Sequence, residues 1–353
     1  MANIETIPIE TIPTETIPTG TRLANAETGP IAVLVTDQET VRSLRNTVLG
    51  YWPKRKNDFF PGPQPVSLER RDLFKLRKFP YLVCVKSNGM RFMMLCATIG
   101  EQLKCFMVDR AFRFYEVNQC FDKAMYTNTL FDGELVRSNS GVWTYIVHDC
   151  VAFRGEDVSQ MDFNKRYSYV STAVETFWEI TDSNVFPIEI KKFVPFSEIR
   201  TLVSMEANGE IAHPTDGYIF TPVMLPIGTN AQYTLFKWKS AKFHTFDFKV
   251  TEEPERYVAH VNKKGSLVPF ASVPKTTRQG TEFSTKLGNL RDPTFTDGAI
   301  VECEYDIRTQ CFNPLFVRTD KTHPNGLYTV EKTLLNIQEN ITIEELSTLR
   351  LEH

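Results

Sequence analysis

Residues 81–95 read YLVCVKSNGMRFMML, two strand-like apolar runs separated by Lys86-Ser87-Asn88-Gly89. Asn-Gly between such runs is the strongest local signal for a tight hairpin. The stretch therefore predicts a hairpin with Lys86 beside its tip, where a lysine is ordinarily a solvated charge. The same lysine, set between apolar runs with Arg91 five residues on, is also a candidate nucleophile. A short motif does not decide between the two, and the rest of the chain must.

From Tyr81 to about Val151, strand-like runs (KCFMVDRAFRFYEV, TLFDGELV, WTYIVHDCVAF) alternate with turn residues, which predicts a largely antiparallel sheet. Upstream, Ser67 is placed to cap a short helix in SLERRDLFKLR. Downstream, Tyr167, Val170, Val174, Phe177 and Trp178 share a face at helical spacing, the pattern of a helix packed on a core. Short strands return at DGYIFTP and YTLFKWK. After Ser240, FDFKV, RYVAHV, AIVECEYD and PLFVRTD are short strands between polar loops, which suits a small OB-type β-barrel. Thr342-x-x-Glu345 is a capping box that opens a last helix. The predicted class is α+β, with antiparallel sheets and flanking helices followed by the barrel. The expected division is a lead-in over 1–30, a domain over 31–240 on which the helix of 342–353 packs back, and the barrel over 241–341. Within the lead-in, a five-residue ETIP unit is repeated three times. Its prolines forbid a helix and it offers no aromatic anchor, so it reads as disordered or extended.

The 353 residues are enough for two domains, and 42% hydrophobic with 24% charged residues is ordinary for a globular chain. The formal charge of −3 gives no global field for nucleic acid, so any contact with a polyanion must be local. Seven cysteines without a C-x-x-C pair, mostly inside apolar runs, read as buried thiols of a reducing compartment. The apolar stretches are too short to span a bilayer and the N-terminus does not look like a signal peptide, so the expected protein is intracellular, without a membrane partner.

FDGELV places Asp132 and Glu134 two apart, able to share a face of a strand, and PTDGYIFTP offers Asp216. Taken singly, each Asp-Gly is most simply a hairpin turn. Lys237 and Lys239 alternate with Trp238, so both leave one strand face. That face is either solvated or a clamp for phosphate. Arg318, Asp320 and Lys321 gather in FVRTDKTHPN, by themselves an exposed charged turn.

Their order carries more than any one of them. K-S-N-G-M-R, F-D-G-E-L-V, D-G-Y-I-F-T-P, L-F-K-W-K and R-T-D-K-T-H-P-N follow one another along the chain. The series resembles the signature of the covalent nucleotidyltransferases, which comprise mRNA capping guanylyltransferases and polynucleotide ligases. The fifth element, with the flanks PGPQPVSLERRD, VSQMDFNKR and EKTLLNIQENITIEEL, resembles the capping side, and within it the compact chlorella virus type. The likeness runs from about residue 40 to the C-terminus and suggests a large DNA virus as source.

This resemblance implies that Lys86 attacks the α-phosphate of GTP, forms a lysyl-N-GMP intermediate, and then yields GMP to 5′-diphosphate RNA. A lysine attacks only as the free amine, which partial burial and neighbouring cations favour. Arg91, Lys237 and Lys239 are the implied cations. Glu134 and Asp216 are the implied carboxylates, a partial shell for Mg²⁺ or Mn²⁺. Asn88 and Gly89 belong to the nucleotide-binding motif, and Arg110 matches a nucleotide-contacting arginine. Lys191, with Lys192 as the alternative, matches the lysine that reads guanine, which offers O6 and N7 as acceptors whereas adenine places a donor at N6. His148 falls at the base-stacking position, with a core or surface histidine as the simpler reading. Arg318, Asp320 and Lys321 match the last motif, on the barrel domain, which in the family closes over GTP and orients the pyrophosphate.

One departure is Asn88, where the cap-forming motif has aspartate; this keeps the turn geometry and removes a charge, so an altered rate is expected. Two other readings remain open in the sequence. An ATP-dependent ligase shares most of these residues, and a catalytically impaired scaffold binding RNA or a polymerase is suggested by Asn88. RNA triphosphatase and cap methyltransferase activities, which have no module here, are expected on separate chains, as is RNA polymerase.

Overall fold

The computed structural model describes residues 23–25, 29–52, 60–228, 231–290, 293–319 and 321–352; the ETIP repeat lies outside them. Among the described residues, Ser240–Ile341 form one compact unit, and those from Leu23 to Lys239 together with those from Thr342 onward form another. In the latter, strand pairing begins before Ile31, where Leu23–Asn25 pairs with Gly29–Leu34.

Seven strands of this unit matter for the site: β1 (Gln64–Ser67), β2 (Tyr81–Ser87), β3 (Met90–Ile99), β4 (Thr127–Arg137), β5 (Trp143–Phe153), β6 (Thr215–Pro222) and β7 (Ala231–Lys239). β3, β4 and β5 are neighbours in a nine-stranded sheet, whereas a five-stranded sheet runs Val194–Pro195, β2, β6, β7, β1. All pairs are antiparallel except β1 with β7 and Ile188–Ile190 with β5. Along β3, Phe92, Met94 and Cys96 enter one core while Met93, Leu95 and Ala97 enter another. Val170 of helix Phe163–Thr172 joins the first core, and Leu44 and Val48 of helix Gln38–Gly50 join the second. A strand buried on both faces needs apolar side chains at every position, which is why FMMLCA does not alternate.

The predicted hairpin at Asn88-Gly89 is not formed. β2 and β3 belong to different sheets, and these two residues carry the chain across. The Asn88 N–H donates to the Pro214 carbonyl at 2.9 Å. A Cβ on Gly89 would lie 2.7 Å from the Leu135 carbonyl oxygen, so glycine is required by close approach to β4. The two Asp-Gly pairs are not turns either, since Asp132-Gly133 lies inside β4 and Asp216-Gly217 inside β6. Gly217 has φ +153°, and a Cβ there would stand 1.9 Å from the Trp238 carbonyl oxygen.

Ser67 ends β1 instead of capping a helix; a 3₁₀ turn at Arg70–Asp72 leads into helix Leu73–Lys78. Helix Phe163–Thr172 continues as a π turn over Ala173–Phe177, which carries Val174, Phe177 and Trp178 onto the core that Val170 enters. Thr342 caps the last helix as its pattern predicts, its hydroxyl accepting from the Glu345 N–H at 3.1 Å.

The second unit is a five-stranded antiparallel sheet ordered Ser266–Pro274, Arg256–Lys263, β8 (Thr245–Glu252), β9 (Ile300–Asp306), Cys311–Val317. Phe246, Phe248 and Val301 form its core with Phe283 and Leu287 of helix Arg278–Gly288 and Val330 of helix Leu327–Glu339. Five strands are the complement of an OB fold. All seven cysteines are free, five of them buried. Among the described residues no helix is long and apolar enough to cross a membrane.

Gly217→Ala is expected to cost about 3 kcal/mol or more, because backbone, not a flexible side chain, would have to move. Gly209→Ala, at φ +71° with nothing within 4 Å of its Cβ, is expected to cost about 1 kcal/mol. Urea midpoints of the two variants check the difference.

Candidate active site

In the smaller sheet β6 lies between β2 and β7. Its pairing with β2 slips between Thr215 and Tyr218, a bulge that re-aims the intervening side chains. Asp216 thereby reaches both neighbours: Lys86 Nζ of β2 lies 2.7 Å from Oδ1 and Lys239 Nζ of β7 lies 2.6 Å from Oδ2. Burial works to raise the Asp216 pKa, yet the two ammonium groups hold it below the ordinary carboxylate value. Lys237, two residues before Lys239, leaves the same strand face and is half-buried. Trp238 takes the opposite face and stacks on Tyr218, ring centroids 5.7 Å apart.

The larger sheet contributes a second group. Register pairs Arg91 of β3 with Glu134 of β4, and Met93 with Asp132, so Asp132 and Glu134 share a face as their spacing predicts. Arg91 grips Asp132 with two N–H groups, one at 2.9 Å, and donates to the Pro63 carbonyl. Opposite, the pairing of β4 with β5 shifts between Asp132 and Gly133, where Val147 and Asp149 are the flanking partners of β5. His148 is the extra residue of this bulge, and its Nε2 comes within 3.6 Å of Asp132 Oδ1. Burial raises the Asp132 pKa, but Arg91 and then His148 bring it below the usual value. Burial pushes His148 down, against the pull of Asp132. Glu134 behaves differently: burial lifts its pKa despite the facing charges of Lys191, Lys86 and Arg91.

Lys191 follows strand Ile188–Ile190 and is buried, whereas Lys192 is exposed. The Lys191 ammonium donates to Ser87 Oγ, one residue from Lys86, and Ser87 Oγ lies 2.7 Å from His213 Nε2. Burial, reinforced by Lys191, lowers the His213 pKa to about 4. Arg110 reaches Gln64 of β1 at 3.1 Å, beside the Pro63 carbonyl that Arg91 holds. Asn88 is exposed at the end of β2.

Lys86, Asn88, Gly89, Arg91, Arg110, Glu134, His148, Lys191, Asp216, Lys237 and Lys239 all belong to the first unit. Lys86 and Lys239 meet at Asp216, Arg91 and His148 meet at Asp132, and the charges of Lys191, Lys86, Arg91 and Asp216 all act on Glu134. Arg318 and Lys321 belong to the other; Asp320 lies outside the described residues. The pair is not the exposed turn that its sequence suggests. Arg318 is buried and donates to Asp247 at 3.0 Å and to Glu302, while Lys321 binds the other Asp247 oxygen. Asn325 adds a bond to the same carboxylate at 3.2 Å.

Sequence reasoning missed Ser87, His213 and Asp247. Ser87 and Asp247 sit inside quoted motifs without distinctive spacing. His213 precedes the Asp216 motif in HPTDG, so proximity in sequence was its one signal. No group of three or more His, Cys, Asp or Glu among the described residues could hold a metal ion. Glu134 and Asp216 could serve a hard cation only as two carboxylates completed by phosphate oxygens, the usual manner of Mg²⁺. The raised Glu134 suits that arrangement, because an arriving cation favours the ionised carboxylate.

The family described as "mRNA capping enzyme, catalytic domain" matches residues 29–241, and "mRNA capping enzyme, C-terminal domain" matches residues 231–347. The mRNA-capping enzyme subunit alpha of Candida glabrata is 28% identical over 82% of this chain and 79% of its own length. The protein of the same name from Saccharomyces cerevisiae is 27% identical over 82% of the chain and 78% of its own length. A solved structure of mycobacterial DNA ligase D with ATP overlays 75% of this chain and 95% of that one, at a TM-score of 0.41 and 11% identity.

Removing the Arg91 head group strands a buried carboxylate, so Arg91→Met is expected to lose about 3–5 kcal/mol in urea unfolding. His213 tests pH. Its folded pKa lies below the unfolded one, so the unfolded chain takes the proton first and stability falls as pH drops from about 6.5 to about 4. His213→Gln should flatten the melting temperature across that window, by a modest amount because the ring is part-solvated.

Proposed function

This chain belongs to the mRNA capping enzyme family, and from that membership we propose Lys86 as the nucleophile of its guanylyl transfer. The enzyme is an mRNA-capping nucleotidyltransferase, a guanylyltransferase. In the first step Lys86 Nζ attacks the α-phosphorus of GTP; the N–P bond forms, the bond to the pyrophosphate oxygen breaks, and the nitrogen gives its proton to solvent. In the second, a terminal oxygen of 5′-diphosphate RNA attacks the same phosphorus, the N–P bond breaks, and GpppN leaves with the lysine regenerated.

The observation that carries this reading is Asp216 bridging Lys86 and Lys239. Held below its ordinary pKa, Asp216 is a poor proton acceptor. Its role is to aim Nζ until the phosphate arrives, and Lys239 and Lys237 then neutralise the α-phosphate oxygens. Arg91, fixed by Asp132, and Arg110 add positive charge for the nucleotide. Lys191 reads the acceptor edge of guanine, and His148 stacks on the base. Arg318, Asp320 and Lys321 act on the pyrophosphate leaving group. Glu134 and Asp216 would hold Mg²⁺ or Mn²⁺ together with phosphate oxygens, and the ion supplies charge neutralisation there. Asn88, exposed and outside the carboxylate network, alters the rate without removing the step.

The name "subunit alpha" among the relatives supports a partner subunit. The RNA triphosphatase that makes the diphosphate end, the cap methyltransferase and RNA polymerase are the proposed associates on separate chains.

Incubation with α-labelled GTP or ATP and a divalent metal, followed by denaturing electrophoresis, tests the covalent step. A band from GTP, absent in Lys86→Ala and removed by pyrophosphate, is the expected result. Label from ATP instead would mean a ligase, and no label from folded protein would mean a scaffold.

A further inference from the structure

Resting on the reading of Lys191 as the guanine-contacting lysine, we propose that His213 is a specificity-determining positioning residue, acting through Ser87 to aim the Lys191 ammonium. The argument begins from hydrogen-bond inventory. An ammonium has three N–H donors and no acceptor, so Ser87 Oγ must accept from Lys191. The single hydroxyl hydrogen of Ser87 is then free for His213 Nε2, 2.7 Å away. Assigning that hydrogen to His213, which gives the buried hydroxyl an acceptor, makes Nε2 the acceptor and puts the imidazole proton on Nδ1. The chain of bonds therefore runs one way, from Lys191 to Ser87 to His213.

Burial gives this order its consequence. Ser87 is 2% and Lys191 6% exposed, so a hydrogen bond lost by either leaves a buried polar group unpaired. With one Lys191 hydrogen committed to Ser87, the other two are left for the acceptor edge of a purine. Without His213 the hydroxyl loses its acceptor and rotates, and the lysine loses a fixed direction while keeping its charge. Such a change weakens recognition of the base and leaves the reacting centre at Lys86 in place. The lysine backbone is anchored separately: its N–H donates to the Val147 carbonyl at 2.8 Å and its carbonyl accepts from the Tyr167 hydroxyl at 2.7 Å. Only the side-chain end is left for His213 and Ser87 to set.

The test is covalent labelling with GTP and ATP in the full chain, for His213→Ala, His213→Gln and Lys191→Met. His213→Ala should raise KM for GTP about tenfold, the worth of one hydrogen bond, with a much smaller change in kcat. The GTP-over-ATP preference should fall by the same factor. His213→Gln, whose Oε1 can accept from Ser87, should restore both. Lys191→Met separates the two layers of the argument. If it loses the preference while His213→Ala keeps it, the His213 assignment is overturned and the reading of Lys191 stands. If Lys191→Met keeps the preference, both fall. A His213→Ala defect that glutamine does not rescue, or that appears in kcat alone, also overturns the proposal.

Discussion

Asp216 is the interaction on which the site depends. Its two oxygens take two lysines from the strands on either side, so the order of the smaller sheet and the placement of the reactive amine are one constraint. Breaking a largely buried ion pair from one side typically costs about 3–5 kcal/mol, because the remaining charge is left desolvated. The middle strand must therefore supply the carboxylate, and the outer strands the cations. Strand β6 needs the bulge and the Gly217 backbone to do so, since the close approach of Trp238 leaves no space for a Cβ beside Asp216.

Around that bridge, Lys86, Arg91, Lys191, Lys237 and Lys239 outnumber Asp132, Glu134 and Asp216. A chain whose formal charge is −3 thus concentrates positive charge locally, which is what a triphosphate requires of a protein with no basic field of its own. The carboxylates are not redundant. Asp132 fixes an arginine, Asp216 fixes two lysines, and Glu134 remains desolvated. The second unit repeats the device independently, with Asp247 buried on β8 and holding Arg318 and Lys321.

Much of this was legible in the chain. Alternation placed Lys237 with Lys239 and Asp132 with Glu134, and the ordered motifs pointed to the family before any contact was known. The glycines were misread, and the reason is physical. Asn-Gly and Asp-Gly favour turns when local conformation decides, but here Gly89, Gly133 and Gly217 serve the close passage of other strands, a tertiary demand that leaves no local trace. The burial of Arg318 was invisible for the same reason, since its partner Asp247 lies 71 residues away. His148 reached Asp132 only through a one-residue bulge, which no periodicity announces.

The crossing at Asn88-Gly89 gives the enzyme a mechanical property. Lys86 stands at the seam of two sheets, with its ion-pair partner on one and Arg91 and Glu134 on the other. Any shear of one sheet over the other is felt first at the amine, as a change in its distance from Glu134 and Arg91. Misplacement of a reacting atom by about 1 Å can cost about a hundredfold in rate. The dense double core around β3 is then more than ballast: it is the stiffness that keeps the seam closed, and core substitutions far from any phosphate should be read as tuning that stiffness.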